Sequence, residues 1–209
     1  MIAGGQPTHD RGQQRGAIRA FAGRLEEARA DFTHAASLRE TLSDDYPKTH
    51  FYFEALLAFA DGDVQRAAEK LEDCIAVIIG RFESPVAQLT SHAAIRIILG
   101  EIDTAANLAR DALTLAPDPG LQTTWLAIQH LAAVAALQGR CRTAARLTGV
   151  VDGWCDRYGY QRIGFERATY EILTKSLRDQ LSTEALHALT TEGARLDFEQ
   201  AVDEALSLS

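Results

Sequence analysis

Apolar and polar residues follow one another along most of the chain with the period of an amphipathic helix. Apolar segments such as FYFEALLAFA from Phe51 and WLAIQHLAAVAAL from Trp125 run up to a glycine, and a segment with one apolar stripe, such as VQRAAEKLEDCIAVII from Val64, follows it. Apolar residues spaced at i, i+3, i+4 and i+7 place one face of a helix against a core. The pattern predicts pairs of helices joined at a glycine.

The joining glycines open a six-residue phrase that occurs as GRLEEA, GDVQRA, GEIDTA and GRCRTA. These phrases begin at Gly23, Gly62, Gly100 and Gly139, with spacings of 39, 38 and 39 residues. A glycine can end one helix in the left-handed backbone conformation, and an apolar residue two positions later begins the buried stripe of the next. Each repeat is therefore expected to be a helical hairpin, and stacked hairpins are expected to share one core.

Small residues recur at fixed distances from each hinge glycine, where they let two helices approach closely. They lie seven positions before it (Gly16, Ala55, Ala93, Ala132), five after it (Ala28, Ala67, Ala105, Ala144) and mostly also twelve after it (Ala35, Cys74, Ala112, Val151). This spacing resembles the tetratricopeptide repeat. The resemblance implies an all-α fold, a right-handed α-solenoid of about four tetratricopeptide-like hairpins over residues 11–158, preceded by a disordered or truncated segment at 1–10.

The repeat pattern ends near Tyr158, and residues 159–209 are predicted to form a C-terminal helical cap. GYQRIG from Gly159 is a glycine-bounded loop, and three helical segments follow it. Ser182 and Asp197 are expected to cap helices, and Gln200 completes a capping box with Asp197. AARLTG from Ala144, FERATYE from Phe165 and GARLDFEQAVDEAL from Gly193 also resemble the C-terminal arm of large bacterial LuxR-type and ATPase-linked transcriptional regulators, which implies a regulatory, signalling role.

Composition narrows the classes of partner. The net charge of −8, from 21 basic and 29 acidic residues, opposes direct contact with nucleic acid. No segment of the sequence is long and apolar enough to predict a membrane span, and three cysteines without paired spacing predict no disulfide framework. We expect a cytoplasmic protein. The chain also lacks a GxxxxGK[ST] phosphate loop and a GxGxxG motif, so no cofactor is predicted.

Candidate catalytic and metal-binding groups are sparse. The six histidines form no His-x-x-x-His pair, which argues against a metal site. Ser91 and His92 are adjacent on a helix and point about 100° apart, so they do not form a nucleophile and base. The carboxylate pairs Glu26–Glu27 and Asp44–Asp45 are expected to be solvated. Cys74, Trp125 and Trp154 are interpreted as core residues, and the chain is predicted not to be an enzyme.

The resemblance to tetratricopeptide arrays implies a partner-binding groove lined by the first helix of each hairpin. Residues ten, six and three positions before each hinge glycine would face it. The predicted groove residues are Gln13, Tyr52, Leu56, Phe59, Thr90, Ala94, Ile97, Gln129 and Ala133, with Ala17, Ala20 and Ala136 beside them. The mixture of amide, phenol, hydroxyl and apolar groups suits a peptide or a helix. The alternative is that the cap or a neighbouring module covers part of this row.

Basic residues concentrate between 139 and 167, while the sequence after Gln180 is acidic. The arginines are Arg140, Arg142, Arg146, Arg157, Arg162 and Arg167. They either form a docking patch for an acidic partner or pair with the acidic cap, and the second interpretation is favoured.

These observations leave two functional hypotheses. The first is a noncatalytic helical-repeat module that binds a protein or peptide, as the regulatory arm of a bacterial regulator or as a free-standing adaptor. The second is a sensor in which the groove and the aromatic residues Tyr158 and Tyr160 enclose a small-molecule inducer.

Overall fold

The structure, a computed structural model, describes residues 8–40, 46–80, 84–115 and 118–208, and the side chains of residues 8–14, 36, 38–40 and 46–50 lie outside that description. In these ranges the regular secondary structure consists of eleven α-helices. They are α1 (Thr8–Phe21), α2 (Leu25–Glu40), α3 (Tyr46–Ala60), α4 (Val64–Gly80), α5 (Val86–Ile98), α6 (Ile102–Leu115), α7 (Gln122–Leu137), α8 (Cys141–Tyr158), α9 (Gly164–Gln180), α10 (Thr183–Gly193) and α11 (Phe198–Leu206). The predicted all-α class is confirmed.

The hinge glycines end α1, α3, α5 and α7 in the same way. Their φ angles lie between 76° and 87°, in the left-handed region that favours glycine. At Gly139 the backbone N–H donates to the carbonyl of Ala136, and the N–H of Arg140 donates to the carbonyl of Ala135. The same pair of bonds closes the other hinges, so each helix ends in a Schellman motif that turns the chain directly into its partner helix.

The small residues lie where the paired helices touch. The alanines five positions after the hinge glycines are completely buried, as are Ala55, Ala93 and Ala132 on the opposing helices. At Gly16 a Cβ atom would lie 2.5 Å from the Phe32 ring, which itself stacks on Phe53 at 4.4 Å between ring centroids. Larger side chains would force the helices apart, so the spacing read from the sequence corresponds to close helix packing.

The described residues fall into two compact units, one drawn from residues 1–83 and the other from residues 84–209. Unit 1 contains the hairpins α1–α2 and α3–α4, and unit 2 contains the hairpins α5–α6 and α7–α8 together with α9, α10 and α11. The helices predicted as a cap thus belong to the same compact unit as two of the repeats. Helix α1 begins at Thr8, inside the segment expected to be disordered or truncated, and residues 1–7 lie outside the described part of the chain.

The first hairpin of unit 1 is tied by a buried carboxylate. Asp31 on α2 accepts hydrogen bonds from Nε and Nη2 of Arg15 and from Nη1 of Arg19, both on α1, at 2.6–3.1 Å. The hydrogen bonds from Arg15 hold the pKa of Asp31 below its usual range despite the opposing effect of burial. A charged residue is tolerated on the inner side of α2 because two guanidinium groups neutralise it.

In unit 2, α10 packs against α8, and α11 packs against α7 and α8. Both helices begin as the sequence predicts. The Ser182 side chain accepts from the N–H of Ala185, and Asp197 and Gln200 form a reciprocal capping box. The main-chain carbonyl of Leu208, just beyond α11, accepts a hydrogen bond from Arg110 on α6 at 3.0 Å. The C-terminal helices are therefore integral to the packing of this unit.

Candidate functional site

The predicted groove of unit 2 is covered by a helix of the same chain. Helices α5 and α7 pack side by side, and α9 packs against both of them. The groove residues predicted in this unit, namely Thr90, Ala94, Ile97, Gln129 and Ala133, are all buried. An external partner can reach them only if α9 moves away, so their role in partner binding stays a prediction.

Helix α9 presents one narrow apolar ridge to the interior. Phe165, Thr169, Leu173 and Leu177 are the buried residues of this helix, and they stand four positions apart. Residues at i and i+4 lie one above the other on a helix face, so these side chains form a continuous row. The rest of α9 carries charged and polar side chains, including the exposed ion pairs Arg167–Glu171 and Lys175–Asp179. The helix is thus amphipathic.

Gln129 is the polar centre of the contact between α7 and α9. Its Nε2 donates to the carbonyl oxygen of Glu166 at 2.9 Å and to Oγ1 of Thr169 at 3.2 Å, while its Oε1 accepts from Nε of Arg162. Only 1% of Gln129 is exposed, and a buried amide of this kind is costly unless both its ends are paired. Gln129 therefore fixes where along α7 the helix α9 can lie.

A second polar contact fixes the other end of α9. Ser176 Oγ and Gln180 Nε2 both donate to the carbonyl oxygen of Ala136, at 3.2 and 3.0 Å. Ala136 lies in the last turn of α7, and its carbonyl oxygen also accepts from the N–H of Gly139 at the hinge. Side chains of α9 thus add two hydrogen bonds to a carbonyl group at the end of α7.

The loop before α9 is held by an ion pair that spans back to α8. Arg162 Nη2 lies 2.6 Å from Asp152 Oδ1, Tyr170 Oη donates to Asp152 Oδ2 at 2.9 Å, and the Arg162 guanidinium lies 4.0 Å from the centre of the Tyr170 ring. Burial, followed by the neighbouring Asp152 charge, raises the pKa of Tyr170 to about 12. Tyr170 is therefore a neutral hydrogen-bond donor at physiological pH.

The aromatic residues of the predicted inducer site, Tyr158 and Tyr160, both pack on Trp154. The rings of Tyr158 and Tyr160 lie 5.3 and 5.5 Å from the Trp154 ring, and Tyr160 Oη donates to Glu166. Tyr158 is 66% exposed. Burial raises the pKa of Glu166, while its hydrogen bond from Tyr160 acts in the opposite direction. These aromatic contacts and the hydrogen bond to Glu166 hold the loop before α9 against α8.

In unit 1 the corresponding row is less covered. Leu56 is buried, whereas Tyr52 and Phe59 on α3 are half-buried, and the Phe59 ring contacts Phe21 edge-on at 6.3 Å between centroids. Gln13 belongs to α1, and its side chain lies outside the described residues. Tyr52 and Phe59 thus keep part of their surface exposed.

Comparison with known proteins bears on the fold. No protein-family model matches the chain, and no curated protein matches it in sequence. A crystal structure of the nearly identical TPR-like repeats of a protein described as a Podosopora anserina kinesin light chain matches 90% of this chain and 95% of that chain, with a TM-score of 0.55. This chain has a tetratricopeptide-like fold. The sequence identity is 16%, so the likeness concerns the architecture alone.

The tetratricopeptide-like fold confirms the hairpins expected from the glycine spacing. Among the described residues no helix has the length and apolar character needed to span a bilayer. The same part of the chain contains no cluster of three or more histidine, cysteine or carboxylate groups that could hold a metal ion. Asp44 and Asp45 lie outside the described residues.

The histidines and cysteines singled out in the sequence are mostly interior. His92 accepts a hydrogen bond from Arg96 Nε at 2.8 Å, and burial lowers its pKa to about 4. Burial likewise raises the pKa of the Cys155 thiol, which therefore remains protonated and weakly reactive. Cys74 and Trp125 are buried, which confirms that they belong to the core, whereas Trp154, which stacks with Trp125 at 5.7 Å, is half-buried.

The arginine-rich region pairs within the chain at several points. Arg146 contacts Glu192 on α10 at 2.7 Å and Glu204 on α11 at 3.1 Å. For this residue the predicted pairing with the acidic cap is confirmed. Arg162 pairs with Asp152 and Arg167 with Glu171, both outside α10 and α11. Ion pairs within unit 2 thus use part of the positive charge that a docking patch would require.

Proposed function

We propose that the chain is a noncatalytic, protein-binding helical-repeat module in which the first helices of the hairpins bind an amphipathic helix of a partner. One observation carries this proposal. Helix α9 lies against α5 and α7 with a ridge of apolar side chains, and Gln129 donates a hydrogen bond to a main-chain carbonyl of α9. A surface that binds one amphipathic helix in this way has the chemistry to bind another, as in helix-in-groove recognition. In unit 2, α9 is then an intramolecular competitor of the partner.

A partner of this kind would carry apolar residues at four-residue spacing and a polar residue that can pair with Gln129. We propose that Tyr52 and Phe59 of unit 1 provide contacts that are accessible from the start, and that Thr90 and Gln129 contribute once α9 has moved. An intramolecular helix has a high effective concentration at its site, so an external helix competes at a disadvantage. Substitutions that weaken the packing of α9 against α5 and α7 should therefore increase the affinity for the partner.

The first test uses the full chain and a fluorescein-labelled peptide of residues 164–180. Wild-type chain is expected to bind the peptide weakly, and Leu173→Ala is expected to bind it at least about tenfold more tightly. The truncation removes buried apolar contacts of α9 that are worth roughly 2–5 kcal/mol, while the peptide retains its own Leu173. Fluorescence anisotropy measures the dissociation constants.

Lys175→Ala is the matched control, since Lys175 lies on the exposed face of the same helix and pairs with Asp179. It should leave peptide affinity at the wild-type value. If Leu173→Ala loses its helical circular dichroism, the double variant Ser176→Ala/Gln180→Ala removes both hydrogen bonds to Ala136 and leaves the apolar ridge intact. A folded variant with weakened α9 that binds the peptide no better than wild type contradicts the proposal.

We also propose that this module acts in the cytoplasm as the regulatory arm of a bacterial transcriptional or signalling regulator. The support is that the sequence from Leu99 to the C-terminus resembles such arms, together with the tetratricopeptide-like fold. Binding of a partner or inducer would shift the position of the arm and thereby bias an attached module.

The size of the native polypeptide tests the regulatory-arm proposal. An antibody raised against this chain should detect, in extracts of the cells that produce it, a band well above the 22.8 kDa of the chain alone. A band at 22.8 kDa would instead favour a free-standing adaptor, and the protein-binding proposal would then stand without the regulatory one.

A further inference from the structure

A cleft of about 320 Å³ lies in unit 2 between α8, α9 and α10, and Leu177 at the end of the buried α9 ridge is among its lining residues. Its volume is at the lower end of the range for small-molecule sites, roughly 300–1,000 Å³. The cleft has a structural origin. Helix α10 packs on α8, whereas α9 packs chiefly on α5 and α7, so the two outer helices diverge and leave space above α8.

The inner part of the cleft is apolar. Leu177 of α9 and Leu186 of α10 line it together with Tyr170, whose ring is already stacked beneath Arg162. Thr148 and Thr190 donate their hydroxyl hydrogens to main-chain carbonyls of their own helices, and so present only acceptor lone pairs to a ligand. The floor therefore favours a hydrocarbon or aromatic body.

The charges in the cleft are asymmetric. Asp152 already accepts hydrogen bonds from Arg162 and Tyr170, so its negative charge is compensated. Arg178 is exposed, and its hydrogen bond within the described chain is a long one of 3.4 Å to Thr174 Oγ1. Arg167 and Lys175 on the same helix pair with carboxylates four residues later. In the described part of the chain Arg178 has no such carboxylate partner, and it lines the cleft.

We propose that this cleft binds a small organic carboxylate with an apolar body. Its carboxylate pairs with the Arg178 guanidinium, and its body lies against Leu177 and Leu186. A guanidinium matches a carboxylate with two parallel N–H···O bonds, and an adjoining apolar wall shields them from water. A polyphosphate would need further cations, and a cationic ligand would meet an aspartate that is already neutralised. The proposal does not depend on the groove function.

The probes for the test are 4-phenylbutyrate and octanoate, each compared with the corresponding neutral amide. Isothermal titration calorimetry on the full chain is expected to show binding of at least one carboxylate, with a dissociation constant near or below about 1 mM. The amides should bind about tenfold more weakly, because they lack the charge that Arg178 pairs with. Arg178→Gln should weaken carboxylate binding about tenfold and leave amide binding unchanged.

Arg167→Gln provides the matched control, since it removes an exposed arginine of the same helix that does not line the cleft. It should bind both probes as wild type does. Leu186→Phe is a second variant, which fills the cleft from α10 and should reduce the affinity for carboxylate and amide alike. If neither carboxylate binds wild type at 10 mM, a concentration about ten times the expected constant, the proposal is wrong. Equal carboxylate affinity in wild type and Arg178→Gln would also overturn it.

Discussion

Replacing Gly149 with alanine is expected to destabilise unit 2 by about 2–3 kcal/mol. A Cβ atom at Gly149 would lie 2.0 Å from the main-chain oxygen of Thr190, and one at Gly193 would lie 1.9 Å from the main-chain oxygen of Arg146. The two helices therefore touch backbone to backbone at two reciprocal points. Neither carbonyl can retreat without moving its whole helix, so an added methyl group must separate α8 from α10.

Gly153→Ala is the matched control for this substitution. Gly153 belongs to the same helix, and nothing lies within 4 Å of the position its Cβ would take. Alanine is the better helix former, so this variant should be about 0.5–1 kcal/mol more stable than wild type. The same gain in helix propensity applies at Gly149, so the clash with α10 alone makes the net change in stability unfavourable there.

Urea unfolding followed by tryptophan fluorescence measures both variants. Trp125 and Trp154 are the two tryptophans of the chain, and both lie in unit 2, so the signal reports the unit that contains the contact. A Gly149→Ala protein as stable as Gly153→Ala would mean that α8 and α10 do not approach at the distance described here.

Features governed by local rules could be predicted from the sequence. Gly139 ends α7 because the left-handed conformation favours glycine, and Asp197 with Gln200 caps α11 because both bonds form within four residues. Ala144 is buried at its predicted helix contact because the distance from the hinge fixes its direction. Each prediction depends only on neighbours along the chain.

The surface against which α9 packs could not be predicted in the same way. The four-residue spacing of Phe165, Leu173 and Leu177 shows an apolar face, but several surfaces of a helical array can cover such a face. Gln129 is predicted to face a partner-binding groove, and in the structure α9 of the same chain contacts it. The paired glycines at 149 and 193 also carried a signal for the α8–α10 contact, which helix periodicity alone does not reveal.

The second large effect concerns a buried histidine in α7. His130 is 1% exposed, and within the described part of the chain neither ring nitrogen has a hydrogen-bond partner. Burial lowers its pKa to about 3 from 6.5. The folded protein therefore keeps His130 neutral, while the unfolded chain binds a proton once the pH falls below about 6.5. Above about pH 7.5 the titration of His130 therefore has no effect on the free energy of unfolding. As the pH falls from there toward the folded-state pKa, proton binding by the unfolded chain lowers the free energy of unfolding progressively.

We expect the free energy of unfolding to lose about 2 kcal/mol between pH 8 and pH 5 through His130. His130→Leu removes the titrating group and the unpartnered nitrogens while keeping a similar volume. The stability of this variant should exceed that of wild type by a margin that grows by the same amount over this pH range. Urea titrations at pH 8 and pH 5, followed by tryptophan fluorescence, measure the difference.

Ile128→Val separates titration from general weakening of the core. Ile128 is fully buried two residues from His130, and its truncation should cost about 0.5–1.5 kcal/mol equally at both pH values. His92, whose pKa burial lowers to about 4, should leave a pH dependence of the same sign and similar size in His130→Leu. If wild type and His130→Leu differ by the same amount at pH 8 and pH 5, the imidazole is protonated in the fold or accessible to water. The interior of α7 would then be more polar than its packing implies, because a charged imidazole without a partner cannot remain among aliphatic side chains.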